Sequence, residues 1–237
     1  APEKVSGMVL KSVLPGLVAL ALAACNQTQA AAGDPVTGDS FLGPADARVV
    51  LIEYAAPTCP ACKSWHDQYW ADLKRDYIDP GRIKFVLREL PSHNPPVDAA
   101  IFAIARCSGQ ERFFEVVDKA FEEQGEIEQA AQQGRAREAL EAFAADFGFN
   151  AERFEACLSD PANTQRIFDM QAEADRKGVT GTPTFFINNR MQPDGRLPAL
   201  RVQLDAALAA AAAPATPAPV PPAPATSAPA TSAPARP

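Results

Sequence analysis

Residues 49–66 read VVLIEYAAPTCPACKSWH. Two cysteines, Cys59 and Cys62, stand two residues apart where one hydrophobic pattern gives way to another. Upstream, Ala47–Tyr54 is a β-branched apolar run, and its near-continuous hydrophobicity suits a central strand covered on both faces. Downstream, Cys62, Trp65, Tyr69, Leu73 and Tyr77 recur at spacings of three and four, one face of a helix. Pro60 fits the first helical turn, where its missing N–H costs nothing. The order strand, tight turn, Cys59, helix places Cys59 at a helix N-terminus and Cys62 one turn in, on the buried face. A second strand follows in Arg82–Leu90, RIKFVLREL. Strand, helix and strand at this spacing form a βαβ unit with parallel strands and a right-handed crossover.

The next 85 or so residues are mostly helix-periodic. One helix spans Val97–Arg106. Apolar stripes follow at Phe113, Phe114, Val117 and Phe121, at Leu140, Phe143 and Phe147, and at Phe154, Cys157 and Leu158. Asp160-Pro161 opens a further helix that Gly178 ends. Strand character returns in GTPTFFINNRM, where Asn188-Asn189 reads as a hairpin turn because Asn tolerates positive φ. A last helix begins near Pro198 with a stripe of Leu197, Leu200, Leu204 and Leu208. The expected fold is therefore α/β: βαβ, a helical insertion, then ββα.

A bare C-x-x-C serves zinc sites, structural staples and redox centres alike. A staple across so short a loop gains little chain entropy. A metal reading would use Cys59, Cys62 and His66, but such sites usually need four ligands, and the only other histidine is His93. His66 is expected as a surface or packing residue, and no metal or cofactor is expected. A redox reading has a physical basis. The helix N-terminus supplies partial positive charge and free N–H donors, which stabilise a thiolate at Cys59. Cys59 is then the attacking thiol, and Cys62 resolves the mixed disulfide.

Both ends of the chain differ from this middle. Met8 and Lys11 precede an apolar run, Val13–Ala24, too short for a spanning helix of about 20 residues. It ends in Leu22-Ala23-Ala24-Cys25, which resembles a bacterial lipobox and makes Cys25 the candidate lipidation site. Cleavage near Thr28-Gln29-Ala30 is the alternative. Either reading exports the protein to a compartment where disulfides persist. The expected organisation is a signal peptide over 1–25, a tether over 26–40, a first core half over 41–94, the insertion over 95–178, a second core half over 179–211 and a disordered tail over 212–237. That tail holds nine of the chain's 23 prolines. The formal net charge of -7 gives no electrostatic footprint for nucleic acid.

The segments VVLIEYAAPTCPACKSWH, RIKFVLRELP, ARCSGQERFFEV and GVTGTPTFFINNR, in that order, resemble the DsbA-like branch of the thioredoxin superfamily over about residues 41–209. The resemblance implies a thioredoxin fold with a helical insertion. It implies thiol–disulfide exchange at Cys59-Pro60-Ala61-Cys62, with oxidase activity the first expectation and reductase or isomerase the second. It implies that Glu53 lies buried beneath the pair and assists proton transfer. It also implies that Pro183 is cis and that the Thr182 backbone binds an extended substrate segment. Expected partners are unfolded or partly folded exported proteins with cysteines, and a membrane redox partner; a monomer in the periplasm is expected, held by lipid at Cys25. Ala61 departs from the Pro-His of strongly oxidising members and offers a thiolate neither charge nor hydrogen bond. Cys107 and Cys157, both in the insertion, are expected to bridge each other; two buried free thiols are the alternative. A non-catalytic holdase or metal-binding module on the same fold stays open at this point.

Overall fold

Val50–Ala55 forms strand β2, every residue of it buried. Its β-branched and aromatic side chains suit a pleated surface packed on both sides. In the computed structural model, which describes residues 38–213, β2 is the middle of a five-stranded sheet ordered β1-β3-β2-β4-β5. Strand β3, Lys84–Glu89, runs parallel to β2 with Glu53 opposite Leu87. Strand β4, Thr184–Ile187, pairs antiparallel on the other side, with Glu53 opposite Phe185. Strand β5, Arg190–Met191, closes the hairpin; Asn188 and Asn189 turn it with φ of 45° and 66°.

Strand β1, Ser40–Leu42, was not expected. It pairs antiparallel with β3, so the fold begins inside the segment read as tether. Three residues carry no legible period, which is why the sequence pattern hides it. Gly43 ends β1 at a φ of 84°, a left-handed conformation that suits glycine, with the Ile83 carbonyl packed against it. The expected leader with Cys25, the rest of the tether and the tail from residue 214 lie outside the described residues.

The helix after Cys59 departs from simple periodicity. Helix α1, Pro60–Trp65, continues through a wide π turn at His66–Trp70, a short α2, Ala71–Leu73, and a second π turn at Lys74–Ile78. The first wide turn brings both Trp65 and His66 into the core, while Tyr69 is only half-buried. Of the two readings of His66, surface or packing residue, the structure shows packing.

The insertion comprises α3 Pro95–Cys107, α4 Phe113–Glu122, α5 Gln124–Gln132, α6 Ala136–Ala145, α7 Ala151–Ser159 and α8 Pro161–Arg176. Asp160 caps α8, accepting from the Ala162 N–H at 2.9 Å, and Pro161 fills its first turn. Helix α9, Leu197–Ala212, is the last described element. One core packs Leu51, Phe85, Leu87 and Phe185 against α1, α3, α4 and α9. The other packs Val50, Ile52, Tyr54, Val86 and Phe186 against Ala174 of α8. On that second face Arg88, almost fully buried, reaches Asp39 at 3.0 Å, Glu173 at 3.2 Å and the Tyr54 hydroxyl at 2.9 Å. Arg166 bridges Asp39 at 2.7 Å and Glu89 at 2.8 Å. These ion pairs tie the β1 end of the chain to the sheet and to α8.

Candidate active site

Strand β2 delivers the chain to the turn Ala56–Thr58, and Cys59 is the N-cap of α1 with extended backbone. Its sulfur accepts the Cys62 N–H at 3.2 Å, one of the donors that a helix start leaves unpaired. The Cys59 thiol donates to the Thr182 carbonyl at 3.4 Å. The Thr182–Pro183 bond is cis. Cys59 and Cys62 are unbonded; Cys62 is fully buried and Cys59 retains 5% exposure.

The two sulfurs differ electrostatically. The side-chain hydrogen bond with Cys62 holds the Cys59 thiol down, to about 6; burial opposes it, and Thr182 and the backbone N–H groups of Cys62 and Ala61 add to it. Burial drives the Cys62 thiol above the ordinary range, with the hydrogen bond to Cys59 and the charge of Glu53 adding to the rise. Of the two, the outer sulfur is the one the site favours as a thiolate, and the inner one is favoured as a thiol.

Glu53 lies on β2 with no exposure. The water-facing alternative for this side chain is thereby ruled out. His66 Nε2 is 3.1 Å from its Oε2.

Residues that periodicity did not single out hold the surrounding loops. Asp98, in the first turn of α3 and fully buried, accepts from Thr58 N at 2.7 Å and Ser92 N at 2.9 Å. Burial raises its carboxyl pKa, and these backbone donors counter the rise. The Thr182 hydroxyl lies 3.1 Å from that of Ser92. Asp98 therefore links the loop before Cys59 to the loop after β3, and Ser92 links that loop to the cis-proline turn. Gln124, at the start of α5, donates to the Pro57 carbonyl at 2.6 Å and the Cys59 carbonyl at 3.1 Å. The only sequence signal for Asp98 was an acidic residue in a first helical turn. Gln124 had none, because a polar side chain in a helix usually faces water.

The depression beside Pro60 is lined by Lys63, Ser64, Asp67, Gln68 and Gln124. Far from the site, Cys107 at the end of α3 and Cys157 on α7 are joined, with Cα atoms 6.2 Å apart. No three acidic, histidine or cysteine side chains cluster in a metal-binding arrangement among the described residues. No helix there is long and apolar enough to cross a membrane.

A helix-capping cysteine, a buried partner one turn on and the Thr182 carbonyl before the cis-proline against the sulfur, on a sheet with β2 parallel to β3, define a redox-pair domain of thioredoxin type. The thioredoxin family profile matches residues 36–205, and the chain belongs to that family. A curated relative from Rickettsia bellii, named "Putative protein-disulfide oxidoreductase", is 29% identical over 72% of this chain and 64% of its own length. A second, from Rickettsia felis, is 30% identical and matched over 60% of its length, so the chain spans less than two thirds of either. Among solved structures, alpha-DsbA1 of Wolbachia pipientis superposes with a TM-score of 0.66 at 23% identity, covering 75% of this chain and 94% of that one. BdbD of Bacillus subtilis gives 0.62 at 18%, covering 75% and 97%. Both share the fold.

Proposed function

We propose that this chain is a thiol–disulfide oxidoreductase that donates disulfides to cysteines of unfolded or partly folded exported proteins. The observation that carries the reading is the asymmetry of the pair: a Cys59 thiol held down to about 6 beside a Cys62 thiol pushed up by burial. A stabilised thiolate favours the reduced form, and the disulfide is then the stronger oxidant. A client thiolate attacks the Cys59 sulfur, the Cys59–Cys62 bond breaks, and a second client thiol later displaces Cys59. Glu53 handles the proton of Cys62. The Thr182 backbone beside Pro183 offers hydrogen bonds to an extended client segment.

The protein acts as an exported monomer in this reading. The apolar run before Cys25 supports anchoring by lipid in the periplasm, and a membrane redox partner reoxidises the pair. The Cys107–Cys157 bridge is structural.

The test is oxidation of a reduced, unfolded protein substrate. Cys59→Ser abolishes exchange, and Cys62→Ser, given the disulfide-bonded form of the client, traps a mixed disulfide at Cys59; full activity in Cys59→Ser leaves only a holdase role. The reductase reading draws on Ala61, whose side chain adds nothing to the stabilisation that its backbone N–H gives the thiolate. A potential near about -120 mV supports donation, and one near about -270 mV supports reduction.

A further inference from the structure

His66 has no part in the exchange chemistry as described, yet it is buried against the one carboxylate beneath the redox pair. Three rings wall it in: Phe121 of α4 at 4.3 Å, Trp70 at 5.0 Å and Trp65 at 5.4 Å between centroids. Its Nε2 meets Glu53 Oε2 at 3.1 Å. Two atoms of this pair, Glu53 Oε1 and His66 Nδ1, are buried without a hydrogen-bond partner among the described residues.

We infer that His66 is a positioning residue for the proton step at Cys62: its Nε2–H holds Glu53 Oε2 and leaves Oε1 as the carboxylate oxygen that exchanges a proton with the Cys62 sulfur. The inference rests on the thiol–disulfide exchange proposed above. The ring's two nitrogens decide the tautomer. An imidazolium needs an acceptor at both, and Nδ1 has none. A neutral ring with its proton on Nε2 satisfies the contact that the ring makes, because the carboxylate accepts it. The charged or titratable groups facing the imidazole are Glu53 on β2, Cys62 one turn earlier on its own helix and Asp118 on α4. Asp118 does not take up Nδ1; it accepts from Trp70 Nε1 at 3.3 Å.

The step balances without another reagent. When a client thiolate bonds to the Cys59 sulfur, the Cys59–Cys62 bond breaks and its electron pair stays on Cys62. A proton on Glu53 Oε1 moves to that sulfur, giving a thiol and a carboxylate that the Nε2–H already holds. In the reverse direction Cys62 returns the proton to Oε1 and attacks the mixed disulfide as a thiolate, and the client thiolate leaves. His66 neither gains nor loses a proton in either direction. It favours the carboxylate and fixes which oxygen is used.

Two measurements on the full chain test this. Imidazole ¹⁵N spectra of the reduced protein at pH 7, assigned with His93→Gln, are expected to show one protonated nitrogen, Nε2, and one bare nitrogen. An imidazolium pattern or an Nδ1–H tautomer at neutral pH overturns the inference, and this readout needs no activity. Single-turnover resolution of a mixed disulfide on Cys59 is then followed against pH. His66→Phe is expected to slow resolution about tenfold at pH 7 and to move its pH profile to higher pH, because the carboxylate form has lost its donor. His66→Gln, which keeps an N–H donor, restores most of the rate. A His66→Phe profile superimposable on that of the unaltered protein refutes the positioning role. Absence of exchange in the unaltered protein refutes the proposed function instead and leaves the spectroscopic result standing.

Discussion

Titrating the redox pair changes the number of protons that its reduction consumes, and the structure says where that change falls. Below about pH 6, where Cys59 binds its proton, reduction takes up two electrons and two protons. For a two-electron couple each proton contributes about 30 mV per pH unit, so the potential falls by about 59 mV per unit. Above that point Cys59 remains a thiolate, while Cys62, pushed up by burial, still takes a proton. The slope halves to about 30 mV per unit. In a pair of ordinary cysteines the bend comes near pH 8.5. The earlier bend leaves this pair about 30 mV more oxidising at pH 7, equivalent to about 1.4 kcal/mol. The sign follows from the depressed thiol. Stabilisation of the reduced form is complete above the ordinary thiol value and is lost as pH falls through about 6. The assay is equilibration with glutathione at pH 4.5 to 9, with the oxidised fraction read by mass after alkylation. A single slope of about 59 mV per unit through pH 8 refutes the account of Cys59.

Three further perturbations have expected outcomes. Replacing both Cys107 and Cys157 by serine opens a bridge across a sequence separation of 50 and lowers stability by about 4 kcal/mol on the chain-entropy account, read as a lower urea midpoint, with exchange at Cys59 retained. Asp98→Asn can accept only one of the two backbone N–H bonds from Thr58 and Ser92; a loss of about 1–3 kcal/mol and slower client oxidation are expected, and an unchanged denaturation curve counts against the bracing role. Arg88→Met takes a buried partner from Asp39 and Glu173, leaving them Arg166 and Arg176, and costs about 1–3 kcal/mol, measured in the same denaturation.

The features legible in the sequence were those whose signal is local. Strand β2, the cap at Cys59 with Pro60 behind it, the Asn188-Asn189 hairpin and the Asp160-Pro161 helix start each declare themselves within a few residues. What escaped depends on partners distant in the chain. Strand β1 is too short for a period and owes its existence to β3 and to the ion pairs of Asp39 with Arg88 and Arg166. His66 looks like a residue on the edge of an amphipathic helix, and only the wide turn that begins with it brings it to Glu53. Gln124 and Asp98 reach the Cys59 loop from 65 and 40 residues away. The redox pair was readable because one turn of helix contains it; the frame that tunes it is drawn from the insertion and from both core halves.

The depth difference between the two sulfurs also bears on how the pair meets a chemical oxidant. An oxidant arriving from solvent meets Cys59, since Cys62 has no exposed surface. The first product there is a sulfenic acid, and a second thiol that condenses with it forms a disulfide and releases water. Cys62 is that thiol, one helical turn away, with its own sulfur shielded from the same attack. Damage at the outer sulfur therefore returns the pair to its working oxidised form before further oxidation makes the loss irreversible.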